Sequence, residues 1–171
     1  QGFNIIATAN LRDRGVHEMS AALKRRFNFE TVKPIRDRQF EIELVGLQLK
    51  QQLANLYSEI QIRPEVIELL VTVFNELRTG QSLQGATLKT PDAVMSTAEA
   101  VNIAHAAGLQ AIYLSDGKLK AEHIAQQLIG VVFKDNPDDA KRMRYYLDTV
   151  VKERSRKDED WKAFFDASRE F

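Results

Sequence analysis

The sequence predicts a mainly α-helical protein that opens on a short strand-containing piece. Three observations carry this. From residue 35 onward the apolar residues recur at helical spacing. Apolar or alternating runs suited to strands occur only before Pro34, in "GFNIIATAN" and "FNFETV". Helix-starting and helix-stopping residues then bracket each periodic stretch. With 171 residues the chain is long enough to bury about 70% of its unfolded surface, so a real core is expected.

The elements follow in order. "GFNIIATAN" reads as a buried strand through Phe3, Ile5, Ile6 and Ala7. "HEMSAALKRRF" spaces Met19, Ala22, Leu23 and Phe27 as a short helix does, around 19 to 26, with Ser20 as its cap. "FNFETV" alternates with the period of a half-buried strand and ends before Pro34, where the boundary is placed. "DRQFEIELVGLQLKQQLANLY" predicts a long helix with Phe40, Leu44, Leu47, Leu53 and Leu56 on its apolar face and Gly46 as a mild interruption. "RPEVIELLVTVFNELRTG" starts a helix with Pro64 in the first turn and stops it at Gly80. Residues 81 to 93 read as a loop or short hairpin. Ser96 or Thr97, with Glu99 placed for a capping box, starts the next helix. "SDGK" ends it, "LKAEHIAQQLIGVVF" is another, and "NPDDAKRMRYYLDTVVKERSRK" follows with Asn136 as cap. A short amphipathic helix carrying Trp161, Phe164 and Phe165 closes the chain.

Lys+Arg and Asp+Glu both number 24, which excludes general attraction to nucleic acid or membrane. There is no cysteine, hence neither a disulfide framework nor a thiolate metal site. No apolar run approaches a membrane span and no signal-peptide layout appears, so a cytoplasmic protein is expected. His17, His105 and His123 lack a metal-ligand spacing, so no metal site is expected in the chain. The clearest local bias is basic: Arg12, Arg14, Lys24, Arg25, Arg26, Lys33, Arg36 and Arg38 stand against four acids in the same stretch.

The segment "IIATAN" followed by a Gly-containing loop, "SAALKRRF", a strand, a Pro and a helical run resembles the back half of an AAA+ ATPase core, in its MoxR-like and dynein-related branch. The resemblance implies residues 1–34 as the end of the α/β core, 35–133 as a helical lid and 134–171 as C-terminal helices. It implies Asn10 as first sensor, between the strand end and the γ-phosphate, and Arg26, with Arg25 second, as the arginine finger offered to a neighbouring subunit. The chemistry suits these residue types. A neutral amide orients water or a phosphate without adding charge. A guanidinium supplied across an interface stabilises the transferring phosphoryl group by about 10³ to 10⁵ in rate, or roughly 4 to 7 kcal/mol.

The departures are as informative. The phosphate loop G-x-x-x-x-G-K-[ST] occurs nowhere, and no apolar strand ends in Asp-Glu; "YLSDG" reads as a helix-ending turn. The chain therefore reads as a piece of a longer ATPase, not expected to hydrolyse or hold ATP and Mg²⁺ by itself. Its first 34 residues are expected either to pair across a dimer or to fold differently from the parent. At the place of the family's second-sensor arginine stands Ala98. Lys89 is the candidate substitute, and a solvated loop lysine is its simpler reading. The partners implied are neighbouring subunits of a homo-oligomeric ring and a protein client, without membrane or nucleic acid. A non-catalytic helical interaction module is the alternative, and a nucleic-acid-binding helical domain a further one.

Overall fold

The computed structural model describes residues 4–8, 20–56, 59–91, 95–132 and 137–170. The chain divides into two units, Gln1–Lys33 and Pro34–Phe171.

In the first unit a single helical turn, α1 (Ala21–Lys24), forms where Ser20 caps it: the Leu23 N–H donates to Ser20 Oγ at 3.2 Å. Residues 4–8 and 27–33 carry no strand, which corrects the expectation of one or two strands there. A period-2 pattern makes a strand only when it finds a ladder partner and a face to bury. Ile5, Ile6, Phe29 and Val32 are all exposed, so neither condition is met.

The second unit is a helical bundle, and the mainly α class holds. Asp37 starts α2 (Arg38–Leu53) by accepting from the Gln39 and Phe40 N–H groups at 2.9 and 3.1 Å. Helix α3 (Pro64–Thr79) begins with Pro64 in its first turn and ends at Gly80, whose φ of 71° is the left-handed conformation a helix stop requires. Apolar on nearly all sides, α3 buries Val66, Ile67, Leu70, Val73, Phe74 and Leu77 and forms the centre of the core. The connection after it makes an isolated antiparallel bridge, Gln81 to Thr87.

Helix α4 (Thr97–Leu114) opens with the expected capping box between Ser96 and Glu99. It lies against α2 because residue 108 is glycine: a Cβ there would stand 2.8 Å from Leu53 Cδ1. Helix α5 (Ala121–Val132) packs on α4 and, most extensively, on α8 (Glu159–Ala167). Between them α6 (Pro137–Tyr146) runs through a π-helical stretch, Leu147–Val151, into α7 (Lys152–Ser155). A 3₁₀ turn, Ser168–Glu170, follows α8.

The apolar face of α2 differs from the expected one. Val45, Leu49 and Leu53 are buried together with Glu41, whereas Phe40 and Leu47 are about half exposed. At about 100° per residue, Phe40 and Leu47 lie nearly opposite Val45, Leu49 and Leu53, and the side that carries the buried Glu41 ion pair is the one that faces the core. In α8, Phe164 is fully buried, with Trp161 and Phe165 partly so, as the amphipathic pattern predicts. Among the described residues no helix is long and apolar enough to cross a membrane.

Candidate functional site

Arg25 ends α1: its N–H bonds the Ala21 carbonyl at 3.2 Å, and the Arg26 N–H bonds that of Leu23 at 3.0 Å. The tight turn thus fixes two consecutive backbones, and both side chains are exposed. Neither guanidinium has an ion-pair partner among the described residues. Asn10 lies outside the described residues, so its relation to Arg25 and Arg26 is not on view. Lys89 belongs to the second unit, exposed on the α3–α4 connection and unpaired among the described residues. Ala98 is exposed in the first turn of α4.

Within the second unit, two carboxylates that the sequence pattern did not single out organise the core around the α3–α4 connection. Glu41, fully buried on α2, accepts from Arg78 Nη2 at 2.8 Å and from the Thr97 hydroxyl at 2.6 Å. Arg78 also donates through Nε to the Met95 carbonyl at 2.8 Å. One arginine of α3 therefore holds the residues that lead into α4.

Glu76, fully buried on α3, is the second centre. Its Oε2 accepts from the Tyr146 hydroxyl at 2.6 Å and from Arg154 Nη1 at 2.9 Å, and its Oε1 accepts from the Leu83 N–H at 2.6 Å. Arg154 Nη2 reaches both Glu76 Oε1 and Gln84 Oε1. The Arg154 guanidinium lies over Trp161, 4.6 Å from the ring centroid. Burial pushes the Tyr146 hydroxyl well above its usual range and the neighbouring Glu76 charge adds to this, so Tyr146 stays a donor. Burial, the largest single influence, lowers the pKa of Arg154, but the hydrogen bonds and charges of Glu76 and Tyr146 together outweigh it and the net direction is up.

Both centres are closed: among the described residues no buried side-chain nitrogen or oxygen lacks a partner. Buried groups partnered in this way anchor structure. No group of three His, Asp or Glu among the described residues could hold a metal ion. An open groove of 460 Å³ lies at the end of α2, lined by Lys50, Leu53, Leu56, Glu59 and Ile60, and Lys89 is not part of it. Arg25, Arg26 and Lys89 are surface cations, as are Lys24, Lys33 and Arg36.

Residues 39–170 match the family model for the YehL-like AAA+ ATPase C-terminal domain. The chain belongs to this family. It is also similar to YehL, an uncharacterized protein of Escherichia coli (strain K12), at 44% identity over 167 residues. That similarity covers 98% of this chain and 45% of the relative, so the chain spans less than half the relative's length. No solved structure matches.

The YehL-like domain begins at residue 39 and so contains Lys89, Glu41 and Glu76, while Asn10, Arg25 and Arg26 precede it. The sequence signal for the buried centres was faint. Glu76 sits in a mostly apolar run, "VTVFNEL", beside Asn75, and Glu41 between Phe40 and Ile42. A lone acid on an apolar face suggests a buried pair but does not name the partner. For Glu76 the partners are 70 and 78 residues away.

Proposed function

We propose that this chain is the sensing and lid portion of a MoxR-like AAA+ ATPase. Arg26 serves as the arginine finger, with Arg25 beside it, and Asn10 serves as first sensor for its own subunit's ATP. Lys89 takes the place of the second-sensor arginine, which Ala98 cannot fill. The ATP and Mg²⁺ belong to a site completed by the phosphate-loop half of a longer protein. In a cytoplasmic homo-oligomeric ring, hydrolysis there would be coupled to remodelling of a protein client.

The observation that carries this reading is the state of Arg25 and Arg26. Two adjacent guanidiniums end a capped turn, exposed and unpaired among the described residues. An arginine reserved for a phosphate on another subunit needs to be held in position and unneutralised by its own chain. Membership of an AAA+ C-terminal domain family supports the context.

The test is Arg26→Ala in the full-length protein that carries both this segment and a phosphate loop. Hydrolysis is expected to fall by about 10³-fold or more with nucleotide affinity nearly unchanged. Turnover equal to the unsubstituted protein removes the finger assignment. A second reading, a helical interaction module without catalysis, is favoured by the half-exposed Phe40 and Leu47 on α2. It predicts no ATPase activity in the full-length protein at all.

A further inference from the structure

The α3–α4 connection, residues 80–96, is held at both ends by arginines. At its far end Arg78 grips the Met95 carbonyl. At its near end Glu76 Oε1 accepts the Leu83 N–H, and Arg154 binds both that carboxylate and the Gln84 side-chain carbonyl. Between these anchors the connection closes on itself through Ser82 to Ala86 and Leu88 to Gly80 hydrogen bonds, at 2.9 and 2.8 Å. Lys89 is the next residue.

Arg154 itself comes from the C-terminal helices, 70 residues beyond Gln84. It is clamped from the other side by Trp161 of α8. Its reach depends on the π-helical stretch between α6 and α7. Eight residues of regular α-helix turn about 80° past two full turns, yet Tyr146 and Arg154, eight positions apart, both meet Glu76. The wider i→i+5 turns of Leu147–Val151 rotate less per residue and bring the two side chains to one face.

We infer that Arg154 is a positioning residue through which the C-terminal helices set the place of the α3–α4 connection, and with it Lys89. Glu76 is the relay: the oxygen that fixes the Leu83 amide is one that Arg154 holds. Displacing Arg154, by substitution or by a partner that takes Trp161 from it, releases the near end of the connection while Arg78 keeps the far end. The consequence for nucleotide rests on the role proposed for Lys89. The mechanical link does not.

The test is amide hydrogen exchange on the chain as it stands, with Arg154→Ala, Arg154→Lys and Gln84→Ala. In Arg154→Ala the Leu83 amide is expected to exchange at least about tenfold faster than in the unsubstituted chain, while Val73 in the middle of α3 changes less than about threefold. Arg154→Lys, which keeps the charge but not the fork, should fall between. Gln84 is exposed, so its truncation leaves the core intact. If Arg154→Ala loses protection everywhere, a selective rise at Leu83 in Gln84→Ala supports the inference, and its absence overturns it. Equal acceleration of Leu83 and Val73 in a folded Arg154→Ala also overturns it. None of these readouts uses ATP, so a failure here is separate from a failure of the ATPase reading.

Discussion

Arg78 and Glu41, 37 residues apart, form a buried ion pair in which Nη2 donates to Oε1 at 2.8 Å. The Glu41 side chain is 0% exposed and that of Arg78 16%. A buried carboxylate without its cation is strongly destabilising, so Arg78→Met is expected to cost about 3 to 5 kcal/mol. Replacing both, as Glu41→Leu with Arg78→Met, should restore a large part of the loss. The bidentate Arg63–Asp160 pair has good geometry too, at 2.9 and 2.7 Å, but Arg63 is 56% exposed. Arg63→Ala is expected to cost less than about 1 kcal/mol. Urea unfolding of the three variants checks the contrast.

Gly108 sets the distance between α4 and α2. A methyl group there gains about 1 kcal/mol of helix propensity but meets Leu53 Cδ1 at 2.8 Å, with Leu49 and Ile60 side chains at 3.4 and 3.5 Å. The nearest atom is the end of a flexible side chain, so Gly108→Ala is expected to lie within about 1 kcal/mol of neutral. Gly108→Val has no such escape and should lose about 2 to 3 kcal/mol. Thermal melts of the pair decide whether close helix approach is the role of this glycine.

His123 gives the domain an acid-sensitive step. Its Nδ1 accepts the Lys120 N–H at 3.3 Å, and burial lowers its pKa from the model-peptide value of 6.5. Lys120 pushes the same way, while Glu122 and Asp116 oppose. The neutral ring is the form the fold prefers, so the unfolded chain binds the extra proton first. Stability is full above pH 6.5 and declines as pH falls from there through the lower folded value. In His123→Gln this part of the pH dependence should vanish. Urea midpoints recorded between pH 8 and pH 5 measure it, and an unchanged slope refutes the assignment.

What could be read from the sequence was local. Pro64, Gly80 and the Ser96–Glu99 box mark helix ends through local backbone chemistry: Pro64 has no N–H to leave unpaired, Gly80 takes the left-handed conformation, and the box satisfies first-turn N–H groups. The face of α2 was not legible. Phe40 and Leu47 offer as good a stripe as Val45 and Leu49, and the choice rests on Glu41 meeting an arginine from another helix. The strands before Pro34 were misread for the same reason, since alternation states which residues share a face and not whether anything covers it. The exposed pair Arg25 and Arg26 was legible from "SAALKRRF", whereas the closed centre at Glu76 depends on contacts across 70 residues or more.

The π-helical stretch also makes the chain tolerant of a change in length. Losing one residue at the exposed Thr149 would leave Tyr146 and Arg154 seven apart. In a plain α-helix that spacing falls only about 20° short of two turns. The shortened helix would present the same two side chains to Glu76, with every later residue still in phase. Between Leu147 and Val151 the protein thus carries one residue more than its packing requires. A deletion there is an edit the fold can absorb, where the same deletion inside α3 would turn its buried face toward water.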